Sequence, residues 1–132
     1  MSKTIIVNNI NADKESAIEK LCKDQQVRIK KVPYNFLGQP VGFLAQIPGM
    51  KKTGSVYKGS AIDEEVLVFA DFGDDELDEF LAGYKAAGIE NIQLKAVVTP
   101  TNMSWTFVEL YNELVRERNA YMAAQNAVES TI

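Results

Sequence analysis

"VLVFADFGDDELDEFLAGYKAAGI", residues 66–89, decides how the chain is read. The opening VLVFADF is apolar on successive positions, the pattern of a strand buried on both of its faces. From Gly73 onward the period changes. Leu77, Phe80, Leu81 and Tyr84 form a helical stripe, acids fill the first turn, Lys85 stands near the end and Gly88 supplies the stop. A buried strand running straight into an amphipathic helix predicts a covered sheet rather than an open one.

The surrounding chain repeats this order. Downstream, IQLKAVV (92–98) sets Ile92, Leu94, Ala96 and Val98 against Gln93 and Lys95, as in a half-exposed strand. A long helix follows from about Thr106, with a stripe of Phe107, Leu110, Tyr111, Leu114 and Val115 that continues through Tyr121 and Met122 to about residue 126. Upstream, TIIVNN (4–9) reads as a strand and DKESAIEKLCKD (13–24) as an amphipathic helix carrying Ala17, Ile18, Leu21 and Cys22 on one face. VRIKKVP (27–33) alternates and stops at Pro33, and GQPVGFLAQIPG (38–49) reads as a short helix. Residues 4–47 and 66–115 therefore repeat strand, helix, strand, helix, joined by a loop at about 50–64 and followed by a helical extension.

The expected fold is α/β: one domain over residues 1–132, with two βαβα repeats sharing a four-stranded sheet covered by helices on both faces. Strands one and three are apolar on both faces and belong in the centre, while two and four alternate and belong at the edges. Right-handed crossovers then favour a parallel sheet in the order 2-1-3-4. A ferredoxin-like α+β arrangement with two added helices is the alternative.

Composition narrows function more by exclusion than by indication. The chain has 132 residues, 46% hydrophobic and 24% charged, which is ordinary for a globular domain. A formal net charge of −4 gives no basic footprint for nucleic acid, and no apolar run approaches the roughly 20 residues of a membrane span. The basic cluster Lys51, Lys52 and Lys58 reads as a solvated loop. A single cysteine and a start, MSKTIIVNN, without a secretory pattern give the cytoplasm as the expected compartment. Histidine is absent, which removes imidazole-based triads, dyads and metal clusters. No cofactor, no metal and no catalytic residue is expected.

The segment LKAVVTPTNMSWTFVEL (94–110) is rich in polar groups, and helix punctuation accounts for part of it. With Thr106 as N-cap, Glu109 completes a capping box, and Trp105 lies over Leu110 as a hydrophobic staple. Phe72 and Leu77 bracket Gly73 and Glu76 in the same way before the other strong helix. In a parallel sheet, ligands bind beyond the carboxyl ends of the strands. The expected rim gathers Asn8 and Asn9 after the first strand, Asp71, Asp74 and Asp75 after the third, and Thr99, Thr101 and Asn102 after the fourth. Asp74 and Asp75 also suit a helix's first turn for electrostatic reasons alone. Cys22, on an apolar stripe, is expected to be a buried inert thiol.

FADFGDDELDEFLAGYKAAGI together with LKAVVTPTNMSWTFVELYNEL resembles a family of small bacterial proteins known only as a domain of unknown function. Its marks are an acidic helix start after a strand and the segment L-K-A-V-x-T-P-x-N-x-x-W-T, residues 94–106 here. The resemblance covers about residues 66–115 and implies no activity, cofactor or catalytic residue. Two functional readings follow. One is a non-catalytic, regulatory module that binds a small ligand or a protein at the rim, or forms a homodimer through the C-terminal helix. The other is a small enzyme or phosphoryl-accepting domain using Asp71 with Thr99 or Asn102 and a divalent cation.

Overall fold

The computed structural model describes residues 3–130. Strands β1 (Thr4–Asn8), β2 (Arg28–Lys31), β3 (Val66–Ala70) and β4 (Leu94–Val97) form one sheet in the order β2-β1-β3-β4. Helices α1 (Ala12–Asp24), α2 (Val41–Leu44), α3 (Asp74–Ala86) and α4 (Phe107–Ser130) alternate with them, and a 3-10 turn at Tyr34–Phe36 precedes α2. The α/β class, the strand order and helices on both faces are as the sequence implies. The two strands with apolar side chains on both faces are central: every residue of β3 is buried, and so are the first four of β1.

Strand direction is the correction. β1 pairs with β2 in parallel and β3 with β4 in parallel, but β1 and β3 run antiparallel, with Ile6 opposite Val68 at the centre. The sheet is mixed, neither wholly parallel nor ferredoxin-like. A parallel β3 would require the chain to travel back along the sheet, and α2, a single turn, is too short to carry it. The chain leaves β2 and re-enters at the same end, where Val66 lies beside Asn8.

This reversal explains the layering. Two crossovers of one hand leaving an antiparallel pair in opposite directions place their helices on the same face. α1 and α3 share one face over Ile5, Val7, Leu67 and Phe69, with Ile18, Cys22, Phe80 and Tyr84 inward. The starts of α2 and α4 cover the other face over Ile6, Val66 and Val68, with Val41, Leu44, Phe107 and Leu110 inward. Each fully buried aliphatic or aromatic side chain contributes about 1.5–3 kcal/mol of transfer free energy, so the central strands carry much of the stability. Ile92 departs from the expected pattern. It precedes β4 and packs into the α1/α3 core, whereas Leu94 faces the α2/α4 core.

β1 and β3 pair symmetrically about Ile6 and Val68, and several features of residues 4–47 recur at a fixed offset in residues 66–115. α1 and α3 each span 13 residues and stand 62 positions apart. Left-handed residues recur at the same offset: Asn9 (φ 61°) with Asp71 (φ 65°), and Gln26 (φ 58°) with Gly88 (φ 71°). From β2 and β4 onward the offset is 66 positions, placing Val41 with Phe107 at the starts of α2 and α4. Those starts are tied by paired bonds. Val41 N–H donates to the Trp105 carbonyl (2.8 Å) and Phe107 N–H to that of Gln39 (3.1 Å), and Gly42 to Met103 (2.8 Å) matches Val108 to Leu37 (3.0 Å).

Candidate functional site

The antiparallel centre splits the expected rim. Asn8 and Asn9 end β1 beside the start of β3, whereas Asp71 follows Ala70, which lies opposite Thr4 at the far end of the sheet. Asn8 and Asn9 therefore do not join Asp71, Thr99 and Asn102. Asn8 ties the edge strand instead, donating from Nδ2 to the Val32 carbonyl (2.9 Å).

At the other end, where β3 and β4 both finish, Asp71 and Thr99 do share a site. A cleft of about 410 Å³ is lined by Ala45, Gln46 and Ile47 from the end of α2, Ala70 and Asp71 from β3, and Val98, Thr99, Pro100 and Met103 beyond β4. Its walls are mainly apolar, with Asp71, Thr99 and Gln46 as polar positions. The cleft has a structural origin. α2 stops after one turn at Ala45, and Gln46 adopts a left-handed conformation (φ 61°). α4, its counterpart, runs on to Ser130, and Tyr111, the match of Ala45, packs against the core. The cleft is the space the truncated helix leaves.

The left-handed backbone of Asp71 is not evidence of function. Asn9 adopts it at the matching turn, and Asp and Asn tolerate that region better than other non-glycine residues. Asp74 and Asp75 are exposed in the first turn of α3, outside the cleft lining, where the helix dipole favours them. Thr101 is exposed on the loop.

Asn102 is a latch for the loop after β4 rather than a group facing ligand. It is 9% exposed. Its Oδ1 accepts from Thr99 N–H (2.9 Å), its Nδ2 donates to the Val97 carbonyl (3.0 Å), and its own N–H donates to Thr99 Oγ1 (3.1 Å). Asn102 thereby sets where Thr99 and Pro100 stand in the cleft wall.

The helix punctuation is as the sequence implies at α4. Thr106 N–H donates to Glu109 Oε1 (3.1 Å), and Glu109 N–H to Thr106 Oγ1 (3.2 Å). Trp105 and Leu110 pack on the same core. At α3 the box is one-sided: Gly73 N–H donates to Glu76 (2.9 Å), and glycine has no side chain to return the bond. That bond, and secondarily Lys3, holds the Glu76 carboxyl below its usual range. Cys22 is buried, and burial followed by the charge of Glu19 pushes its thiol up to about 12, so it stays protonated and inert.

Two structural polar residues gave no signal in the sequence, and a third, Tyr84, shows there only as part of the α3 stripe. Gln39, 1% exposed, holds the 50–64 loop by accepting from Thr53 N–H (2.8 Å) and donating to the Thr53 carbonyl (3.1 Å). Lys14, also buried, donates to Glu65 Oε1 (2.6 Å) beneath a second cleft of about 310 Å³ between α1 and the end of α3. Beside that cleft the Tyr84 hydroxyl donates to the Glu90 carbonyl, and burial, ahead of Glu65 and Glu90, pushes its pKa up to about 12.

Among the described residues no group of three His, Cys, Asp or Glu is placed to hold a metal ion, and no helix is long and apolar enough to cross a membrane. Tyr121 and Met122 stand exposed on the distal part of α4. No curated protein and no solved structure matches this chain. Residues 65–121, from the start of β3 into the exposed part of α4, match the model of DUF3783, a domain of unknown function.

Proposed function

We propose that the chain is a non-catalytic binding module whose ligand occupies the cleft at the carboxyl ends of β3 and β4. The observation that carries this reading is the pairing of an apolar, helix-truncated cleft of about 410 Å³ with one carboxylate, Asp71, and one hydroxyl, Thr99. Few polar groups set in an apolar wall are the usual make-up of a small-molecule site. That chemistry selects a small, mainly aliphatic molecule with one cationic or hydrogen-bond-donating end. The same reading takes the chain as one domain made of two copies of a βαβα unit, on the support of their matched turns and cap-to-cap bonds. A bacterial, cytoplasmic setting rests on the resemblance of residues 66–115 and on the single buried free thiol.

The phosphoryl-accepting alternative draws no support from a specific observation, because the amide of Asn102 is committed to its own loop and Asp74 lies outside the cleft lining. Titrating the 15N-labelled protein with n-hexylamine, and with hexanoate and magnesium as comparisons, tests both readings. The amine is expected to shift the amides of Gln46, Asp71 and Thr99, hexanoate less so, and Asp71→Asn to abolish the preference. Shifts confined to another surface, or a magnesium response lost in Asp71→Asn, would overturn the proposal.

A further inference from the structure

The matched halves offer an internal control for which surface residues the fold itself demands. On α1, Glu15 and Glu19 reach down to Lys31 at the outer edge of β2, and both carboxylates pair with its ammonium. The positions that correspond in the second half are Leu77, Leu81 and Val97. There the same groove between helix and edge strand is an apolar strip of about 180 Å³, floored by Phe69, with Val97 40% exposed. Lys95 borders the strip, with its ammonium bonded to Asn91 Oδ1 (2.7 Å). The first half carries charges at these places; in the second, Leu77 and Leu81 pack part of their surface on the α1/α3 core and leave the rest, with Val97, to the groove.

We propose that this strip is the interface of a homodimer, in which β4 pairs antiparallel with β4 of a second copy and the two α3 helices lie side by side across the axis. Three observations select a second copy as the occupant. β4 is a sheet edge, whose outward N–H and C=O groups are a template for another strand. The molecule already uses this geometry internally, at the antiparallel β1/β3 centre with α1 against α3. Charge complements it: helical spacing puts Asp74 and Lys85 on the flank of α3 that carries Leu77 and Leu81. Antiparallel α3 helices about a two-fold bring Lys85 of each copy to the acidic first turn of the other. The opposite edge, β2, is closed to such pairing by Lys30, Lys31 and the ion pairs to α1.

Sedimentation velocity on the full chain, over a dilution series from millimolar to submicromolar, tests the proposal. The wild type is expected to move from dimer to monomer across the series. Leu77→Glu with Leu81→Glu and Val97→Lys copies the residues of the first half and should raise the dissociation constant by about tenfold or more. A second pair of variants does not depend on the triple variant folding. Lys85→Asp should weaken the dimer, and adding Asp74→Lys should restore it, which a merely structural role of either residue does not produce. Tyr121→Ser with Met122→Lys, on the exposed end of α4, should leave the dimer intact. A wild type that is monomeric throughout, a dimer lost only in the α4 variant, or a Lys85→Asp defect without rescue would each overturn the assignment.

Discussion

Lys14 and Glu76 occupy the same position in the two halves and carry opposite charges. Each sits in the first turn of its helix and reaches to the residue that precedes the other half's central strand. Lys14 pairs with Glu65 at 2.6 Å and Glu76 with Lys3 at 3.5 Å, so the second contact is the first with its signs exchanged. Each half therefore fits the other half and repels a copy of itself: an interface of two first halves would set Lys14 against Lys3.

Reversing one member should expose that code. The Lys14 side chain is 7% exposed and that of Glu65 27%, so Lys14→Glu, measured by chemical denaturation, should cost about 2–3 kcal/mol, between the values for surface and buried pairs. Adding Glu65→Lys should recover most of it. Lys3→Glu, in the more exposed copy, should cost clearly less than Lys14→Glu. Equal costs at Lys14 and Lys3, or no recovery in the double variant, would show that the pairing of signs has no energetic weight.

Asn102 should be a stability residue whose loss is also felt in the cleft. Asn102→Ala removes the bonds to Thr99 N–H and the Val97 carbonyl and leaves both without their side-chain partner, which should cost about 2–3 kcal/mol. Thr99→Val removes only the acceptor of Asn102 N–H and should cost about 1 kcal/mol. In native-state hydrogen exchange, the amides of Thr99 and Met103 should lose protection in Asn102→Ala while those of β1 keep theirs. Unchanged exchange at Thr99 would mean that the loop holds its shape without the latch.

The sequence was most legible where burial and local chemistry decide structure together. VLVFA and the IIV of TIIVN belong at the centre of a sheet, because both of their faces are apolar. Thr106 and Glu109 could be paired by spacing alone. Strand direction was not legible, because apolar alternation states which faces are covered but not which way the chain runs. That one unknown moved Asn8 and Asn9 to the opposite end from Asp71 and so divided the rim. Lys14 was invisible for a different reason: it looks like any solvated helical lysine, and only Glu65, far along the chain, makes its burial tolerable. Gln39 likewise takes its meaning from a loop that the local sequence does not place.

The attachment of α4 should depend on pH. Arg118 grips Glu64, donating from Nη1 to Oε1 and from Nη2 to Oε2 (2.9 Å), and these bonds, ahead of the simple charge attraction, hold the Glu64 carboxyl below its ordinary value of 4.5. A carboxyl whose folded value is depressed binds protons more readily when released. Its contribution is thus complete above the ordinary value and lost as pH falls through the lower, folded one. The Glu64 side chain is 39% exposed, so solvent screening keeps the contribution below about 1 kcal/mol, too little to unfold the domain. It is enough to loosen a helix end that runs past the sheet. On lowering the pH through that window, the protection of the amides of residues 118–126, taken relative to the intrinsic exchange rate at each pH, should fall while that of β3 is kept. Glu64→Gln should show the lower protection already at neutral pH, with no further loss on acidification. An acid-induced loss of protection that persists in Glu64→Gln would assign the loosening to a carboxylate on α4 itself, of which Glu117, beside Arg118, is the nearest in sequence.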